Sequence, residues 1–213
     1  MFSIIIPTFN NLEYLKICLS SIKKNSKLTH EIILHVNDGS DGTLKFVKHN
    51  KFKFSHSTNN LGLCTAINIA AKLSTTDYIL YAHDDFYFCP GWEDSLIKEI
   101  NFIKHENFYL SGTMIEPNSG HIKLDCGSDY KNFNEKKLLA EFNNNTFFDH
   151  QGSHFAPHLV TKKIWNKVGG FSEEFNPGIG SDPDFNMKLW KQNIRIFKGI
   201  NNFRVYHFSS ITT

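Results

Sequence analysis

The sequence predicts an α/β domain with a mostly parallel central sheet flanked by helices. Three observations lead there. Apolar runs of strand length recur through the first half, and each is followed by a stretch whose apolar residues return at helical spacing, the pattern of βαβ units. The chain has 213 residues, 40% of them hydrophobic and 21% charged, which suits one domain with a sizeable core. Its most polar clusters fall directly after the apolar runs, where open parallel sheets bind their ligands.

The elements follow in order. Phe2–Pro7 is the first strand. Asn10 is expected to cap the next helix, with Glu13 closing a capping box, and Leu12, Leu15, Leu19 and Ile22 mark its buried face through Lys24. Glu31–Val36 is a second strand and Asn37–Gly42 a turn-rich loop. A short helix runs to about His49, and Phe52–Ser55 is a third strand. Another helix starts near Gly62, with Leu63, Ala66, Ile67 and Ala70 on one face. Tyr78–Ala82 is a fourth strand, and Pro90-Gly91 opens a helix to about His105. After residue 106 the alternation breaks. Phe108–Ile115 reads as a strand, Asn118-Ser119-Gly120 as a turn, and 121–150 as polar and irregular apart from a helix around Asn134–Phe142. A helix at Lys162–Val168 stops at Gly169-Gly170. Residues 184–192 read as helix, and Ile194–Phe197 and Phe203–Tyr206 as strands. The expectation is one domain in two halves, 1–106 and 107–213.

Several function classes drop out. With 23 basic against 21 acidic residues the net charge is only +2, so a strongly electrostatic nucleic-acid binder is not expected. No apolar stretch is long enough to span a bilayer, and segment 2–6 lacks the basic start and cleavage site of a signal peptide. The four cysteines, Cys18, Cys64, Cys89 and Cys126, form no CxxC pair and are expected as free thiols in a reducing compartment. The expected location is cytoplasmic, with peripheral association at the inner face of a membrane left open. The chain has no GxxxxGK[ST] loop, no GxGxxG after the first strand and no GxSxG elbow.

Chemistry concentrates at Pro7-Thr8-Phe9-Asn10, Asn37–Asp41 and His83-Asp84-Asp85. Any one of these alone reads as a solvated loop; together on one sheet edge they form a candidate site. Asp84 and Asp85 repel, so keeping both ionised favours a nearby cation. Oxygen ligands of this kind suit Mg²⁺ or Mn²⁺, ions that bridge proteins to diphosphates. Arg195 and Arg204 are the only arginines, so a divalent ion would supply charge that the side chains cannot.

These motifs resemble the inverting family-2 glycosyltransferases of the GT-A fold, which use nucleotide-diphosphate sugars. The resemblance runs through Ser3–Asn10, Asn37–Thr43, Asn60-Leu61-Gly62 with Ala66 and Asn68, and His83-Asp84-Asp85 with Pro90-Gly91. It then resumes at Val168–Phe171 and Gly180–Phe185. It implies a donor site of Pro7, Thr8, Phe9, Asn10, Asp38, Asn60, Gly62, Asn68 and Asp84, with Asp38 at the nucleotide base and Asp84 near ribose and sugar. It implies Asp85 as the direct metal ligand, His207 completing the metal site, and Asp182 as the catalytic base that deprotonates the acceptor hydroxyl. Asp184 is the other candidate base, with a helix cap as its simpler role.

Two departures are visible: Asn37 and Ser181 stand where the family usually has acids. The implied function is metal-dependent inverting transfer of a sugar from a nucleotide-diphosphate sugar to a hydroxyl acceptor, a glycan being expected; the alternative reading is a catalytically degenerate nucleotide- or glycan-binding module of the same fold. His150, His154 and His158 have a spacing that suggests zinc, but Gly152 and Pro157 interrupt the helix it would need. Trp165 and Trp190 are expected in the core, and Phe147 and Phe148 are candidates for an acceptor platform or simple packing.

Overall fold

The computed structural model describes residues 1–152 and 155–208. Its first half alternates as expected: β1 (Ser3–Phe9), α1 (Leu12–Asn25), β2 (Glu31–Asn37), α2 (Thr43–His49), β3 (Lys53–Ser57), α3 (Leu63–Ala71) and β4 (Tyr78–Tyr81). Next come β5 (Phe86–Phe88), α4 (Trp92–Ile103), β6 (Phe108–Glu116), β7 (Ile122–Lys123), α5 (Glu135–Glu141) and β8 (His150–Gln151). The chain closes with β9 (His158–Thr161), α6 (Lys162–Val168), α7 (Ser181–Lys191) and β10 (Ile196–His207).

The described strands form one sheet in the order β3-β2-β1-β4-β9-β6-β10-β5, with β7 beside β6 and β8 beside β10. β3, β2, β1 and β4 are all parallel, which brings their carboxyl ends to one edge. β9 runs antiparallel between β4 and β6 and joins the two halves. Ile4, Ile5, Ile6, Ile33, Leu34 and Leu80 are fully buried, as expected for strands covered on both faces. A second, smaller core of Tyr14, Tyr87, Ile115, Tyr206 and Phe208 lies apart from it, joined by Leu138 and Phe142 of the α5 region.

The structure corrects several local expectations. Asn10 does not cap α1: the Leu12 N–H donates to Asp41 Oδ2 at 2.9 Å, and Glu13 pairs with Lys16 instead. The two expected C-terminal strands are one long strand, β10, whose register against β6 shifts between Gly199 and Arg204. β5, β7, β8 and β9 have no counterpart in the sequence expectation; each is short, and β9 follows a polar stretch with no alternation to read. α7 begins at Ser181, three residues before the expected start, so Asp182 and Asp184 both lie in its first turn. Trp165 is buried, but Trp190 is 49% exposed, with the Arg195 guanidinium lying over its ring 3.9 Å from the centroid. The four cysteines are free and buried.

Candidate active site

The parallel register delivers Asn10, Asp38 and His83-Asp84-Asp85 to one edge, because β1, β2 and β4 all end there. Asn10 and Asp38 both adopt positive φ, 47° and 57°, so the chain turns sharply as it leaves each strand. Asn10 Nδ2 donates to Asp38 Oδ2 at 2.8 Å, and the Gly39 N–H donates back to Asn10 Oδ1 at 2.9 Å. Ser40 Oγ donates to the same Asp38 oxygen at 2.9 Å. These bonds, from Asn10 first and then Ser40, hold the Asp38 carboxyl below its ordinary pKa, so it stays ionised at the cleft mouth. Pro7 and Thr8 are buried beneath, while Phe9 is 38% exposed.

Asn37 is buried, and its Oδ1 accepts from Ser57 Oγ at 2.9 Å and the Leu61 N–H at 3.0 Å. A neutral amide thus performs the local bonding at this position. Asn60 Oδ1 accepts the Gly62 N–H at 3.0 Å. Gly62 itself has φ +80°, and a Cβ there would meet Asn176 Oδ1 at 2.5 Å, so only glycine fits. Asn68 has a different employment: its amide donates to the Phe171 carbonyl at 2.8 Å and accepts the Phe171 N–H at 2.9 Å. It joins α3 to the loop that leads to α7.

Asp84 and Asp85 are both buried. Asn11 donates to Asp84 Oδ1 at 3.0 Å, while Asp84 Oδ2 and Asp85 Oδ1 are buried with no hydrogen-bond partner. Burial, reinforced by the Asp85 charge, raises the Asp84 carboxyl to about 7. Burial also acts on Asp85, but hydrogen bonding to His207 outweighs it and the net shift is downward. His207 Nε2 lies 3.3 Å from Asp85 Oδ2, and His83 Nδ1 lies 3.8 Å from Asp85 Oδ1.

Among the described residues, His83, Asp85 and His207 offer ligand atoms within 4.8 Å of one another. The orphaned Asp85 oxygen beside two imidazoles fits a divalent ion: a cation would compensate a buried carboxylate that has an unused lone pair. Glu116 is the residue that sequence reasoning passes over, while His83 is named there only within the His83-Asp84-Asp85 motif and without a ligand role. Glu116 ends the apolar run of β6 much as Asp84 follows β4, and that position was the available signal.

Neither arginine reaches the cleft as a free cation. Arg204 donates to the Phe142 and Asn145 carbonyls and to Asn201 Oδ1, and Arg195 bonds the Trp190 carbonyl at 2.7 Å.

At the start of α7, Asp184 Oδ2 accepts from Ser172 Oγ at 2.6 Å. Asp182 Oδ1 is buried without a hydrogen-bond partner, and burial raises its carboxyl to about 7. The Tyr81 phenol, buried at the end of β4, is pushed up first by burial and then by the charges of Asp182, Asp85 and Asp84. Ser181 Oγ donates to the Gly178 carbonyl at 2.6 Å and fastens the turn before α7.

His158 is buried in β9 with Nδ1 3.0 Å from the Tyr109 hydroxyl, His150 lies in β8, and His154 falls outside the described residues. Phe148 is 79% exposed, and Phe147 packs 5.8 Å from His121.

The family model described as glycosyl transferase family 2 matches residues 3–165. The chain belongs to glycosyl transferase family 2. Chondroitin synthase of Pasteurella multocida (strain Pm70) and hyaluronan synthase of Pasteurella multocida are each 26% identical over 216 residues, covering 96% of this chain and 20% of theirs. The family-2 chain thus spans about a fifth of the length of those relatives. Among solved structures, S. aureus TarS 1–349 superposes with a TM-score of 0.70 at 19% identity, covering 98% of this chain and 60% of TarS 1–349. GalNAc-T7 with UDP, GalNAc and Mn²⁺ superposes with a TM-score of 0.73 at 15% identity, covering 97% and 43%. Likeness at this level establishes the GT-A fold of the family-2 domain.

Proposed function

We propose that this family-2 domain transfers a sugar from a nucleotide-diphosphate sugar to a hydroxyl of a glycan acceptor, with inversion, and that Asp182 is its base. The observation that carries the reading is the buried Asp182 oxygen in the first turn of α7, which has no hydrogen-bond partner. Asp38, held ionised by Asn10 and Ser40, is suited to bind the nucleotide base or ribose. Asp84, steadied by Asn11, would orient ribose and donor sugar. An inverting displacement needs a proton acceptor on the face opposite the leaving diphosphate, and Asp182 takes the acceptor hydroxyl proton at its free oxygen as that hydroxyl attacks the anomeric carbon. The burial of Asp182 brings its pKa close to neutral, where a base is most effective.

Asp85 and His207, with His83 beside them, would hold Mn²⁺ or Mg²⁺, which when bound stabilises the charge of the leaving diphosphate. UDP is the favoured nucleotide. TarS 1–349 was solved with UDP and with UDP-GlcNAc, and GalNAc-T7 with UDP. A glycan acceptor is supported by the chondroitin and hyaluronan synthases among the relatives.

The test is a screen of UDP-, GDP- and dTDP-sugars with glycan acceptors and Mn²⁺ or Mg²⁺, reading both released nucleotide diphosphate and extended acceptor. Metal-dependent release of UDP together with acceptor extension is the expected result. Tight UDP binding without turnover of any pair would instead indicate a nucleotide-binding module.

A further inference from the structure

We infer that Glu116 is a positioning residue for the metal site: it holds His207 by Nδ1 so that Nε2 is presented to the ion beside Asp85. The inference rests on the proposed metal site and adds a residue that is not itself within the ligand cluster.

The sheet register carries the argument. In the parallel β6–β10 ladder Tyr206 pairs with Ile115, so the next pair along the two strands is His207 and Glu116. In the antiparallel β5–β10 ladder His207 pairs with Phe86, the neighbour of Asp85. One histidine is therefore clasped between the ends of two strands that each bring a carboxylate. His207 Nδ1 lies 2.5 Å from Glu116 Oε1, and Nε2 lies 3.3 Å from Asp85 Oδ2. With Nδ1 committed to Glu116, the ring turns Nε2 toward Asp85, and an ion bound there would replace the Nε2–Asp85 contact. This is the arrangement in which an outer carboxylate fixes the tautomer and ring direction of a ligating histidine.

Glu116 is itself fixed. Its Oε2 accepts from Ser119 Oγ, and it is only 7% exposed. The turn that returns Ser119 to it needs Gly120, whose φ is +78° and where a Cβ would meet Glu116 Cγ at 3.1 Å. Phe86 packs 5.0 Å from the His207 ring, nearly perpendicular, and closes the remaining side. Both carboxylate oxygens of Glu116 are thus occupied by protein donors, so the residue acts through His207 rather than on the ion.

The experiment measures Mn²⁺ binding by calorimetry and by pulsed EPR in wild type, Glu116→Gln, Glu116→Ala, His207→Ala and Asp85→Asn. Thermal melts report folding, and metal-free UDP titrations report the nucleotide side. Glu116→Ala should weaken Mn²⁺ by about 10–100-fold and reduce the imidazole-nitrogen modulation as His207→Ala does. Glu116→Gln keeps an oxygen acceptor and nearly the same volume, so it should recover part of that loss. Equal Mn²⁺ affinity and equal nitrogen modulation in wild type and both Glu116 variants, with Asp85→Asn still defective, would overturn the positioning role and leave the metal site standing. Equal binding by wild type and Asp85→Asn would overturn the metal site, and the role of Glu116 with it.

Discussion

Ser172 donates a 2.6 Å hydrogen bond to Asp184, and this bond distinguishes the two aspartates in the first turn of α7. Asp184 is engaged in holding the loop before the helix, whereas one oxygen of Asp182 is buried and unpartnered. Asp182→Asn should therefore lower kcat by about 10²–10⁴-fold with little change in donor affinity. Asp184→Asn should keep most turnover and lose some thermal stability. Steady-state kinetics beside a donor titration and a melting curve check both. The reverse pattern would move the base two residues along.

The same burial sets a pH dependence. Asp182 must be ionised to accept a proton, and its carboxyl is raised from 3.8 to about 7. The rate at saturating substrates should rise with pH up to about 7 and then level. Stability runs the opposite way. The fold favours the protonated form, so wild type loses stability as pH climbs from the unfolded value toward 7 and is constant above it. Asp182→Asn should melt higher than wild type above pH 7, with the gain fading toward pH 4. A rate profile flat from pH 5 to 8 would remove Asp182 as the base.

Metal removal gives a third expectation. Two imidazoles and a carboxylate form a donor set that suits Mn²⁺ better than Mg²⁺, which prefers oxygen. Chelation should abolish transfer, and Mn²⁺ should restore it at lower concentration than Mg²⁺. Asp85→Asn should raise the Mn²⁺ requirement at least tenfold. Full activity in chelator would refute the metal reading.

At the mouth of the cleft, Asp38→Ala removes the carboxylate that Asn10 and Ser40 hold in place. UDP affinity should fall by roughly tenfold, the scale of one charge-assisted hydrogen bond, while the melting temperature stays near wild type. Unchanged affinity by calorimetry would remove Asp38 from the donor site.

A fifth expectation concerns the far edge of the sheet. Burial alone would raise the Glu31 carboxyl, yet Lys53, Ser3 and Thr75 together hold it at about 2. Its stabilisation is present above the unfolded value of 4.5 and is lost as pH falls through about 2. Glu31→Gln should cost about 1–2 kcal/mol at pH 7, allowing for solvent screening, and the deficit should shrink in acid. Denaturant unfolding at pH 7 and pH 2.5 measures the difference.

The first half of the fold was legible because its strands are buried on both faces and its helices have one apolar side. Ile4–Ile6 and Leu63–Ala70 could be read from residue type and spacing alone. The second half was not, because β8 has two residues and β9 four, too few for a period to declare itself. The sequence pattern divides β10 in two because its bulge carries Asn201 and Asn202, residues typical of a turn. Asp38, Asp84, Asp85 and His207 were visible as polar residues beside strand ends. Glu116 was visible in the same way but lacked a partner until the β6–β10 register supplied His207. Asn68 illustrates the opposite case: the sequence motif marks the residue, and only the packing reveals that both ends of its amide bind Phe171.

Both arginines are anchored to main-chain carbonyls, which leaves the domain without a guanidinium clamp for a diphosphate. If the ion supplies the missing charge, donor and ion are linked ligands, and whatever factor one adds to the other's affinity is returned in full. Occupancy by nucleotide sugar then follows the free concentration of divalent metal as well as its own. Under that linkage the scarcity of one residue type would become a thermodynamic gate: a donor arriving alone would meet a weak site, and the pair a strong one.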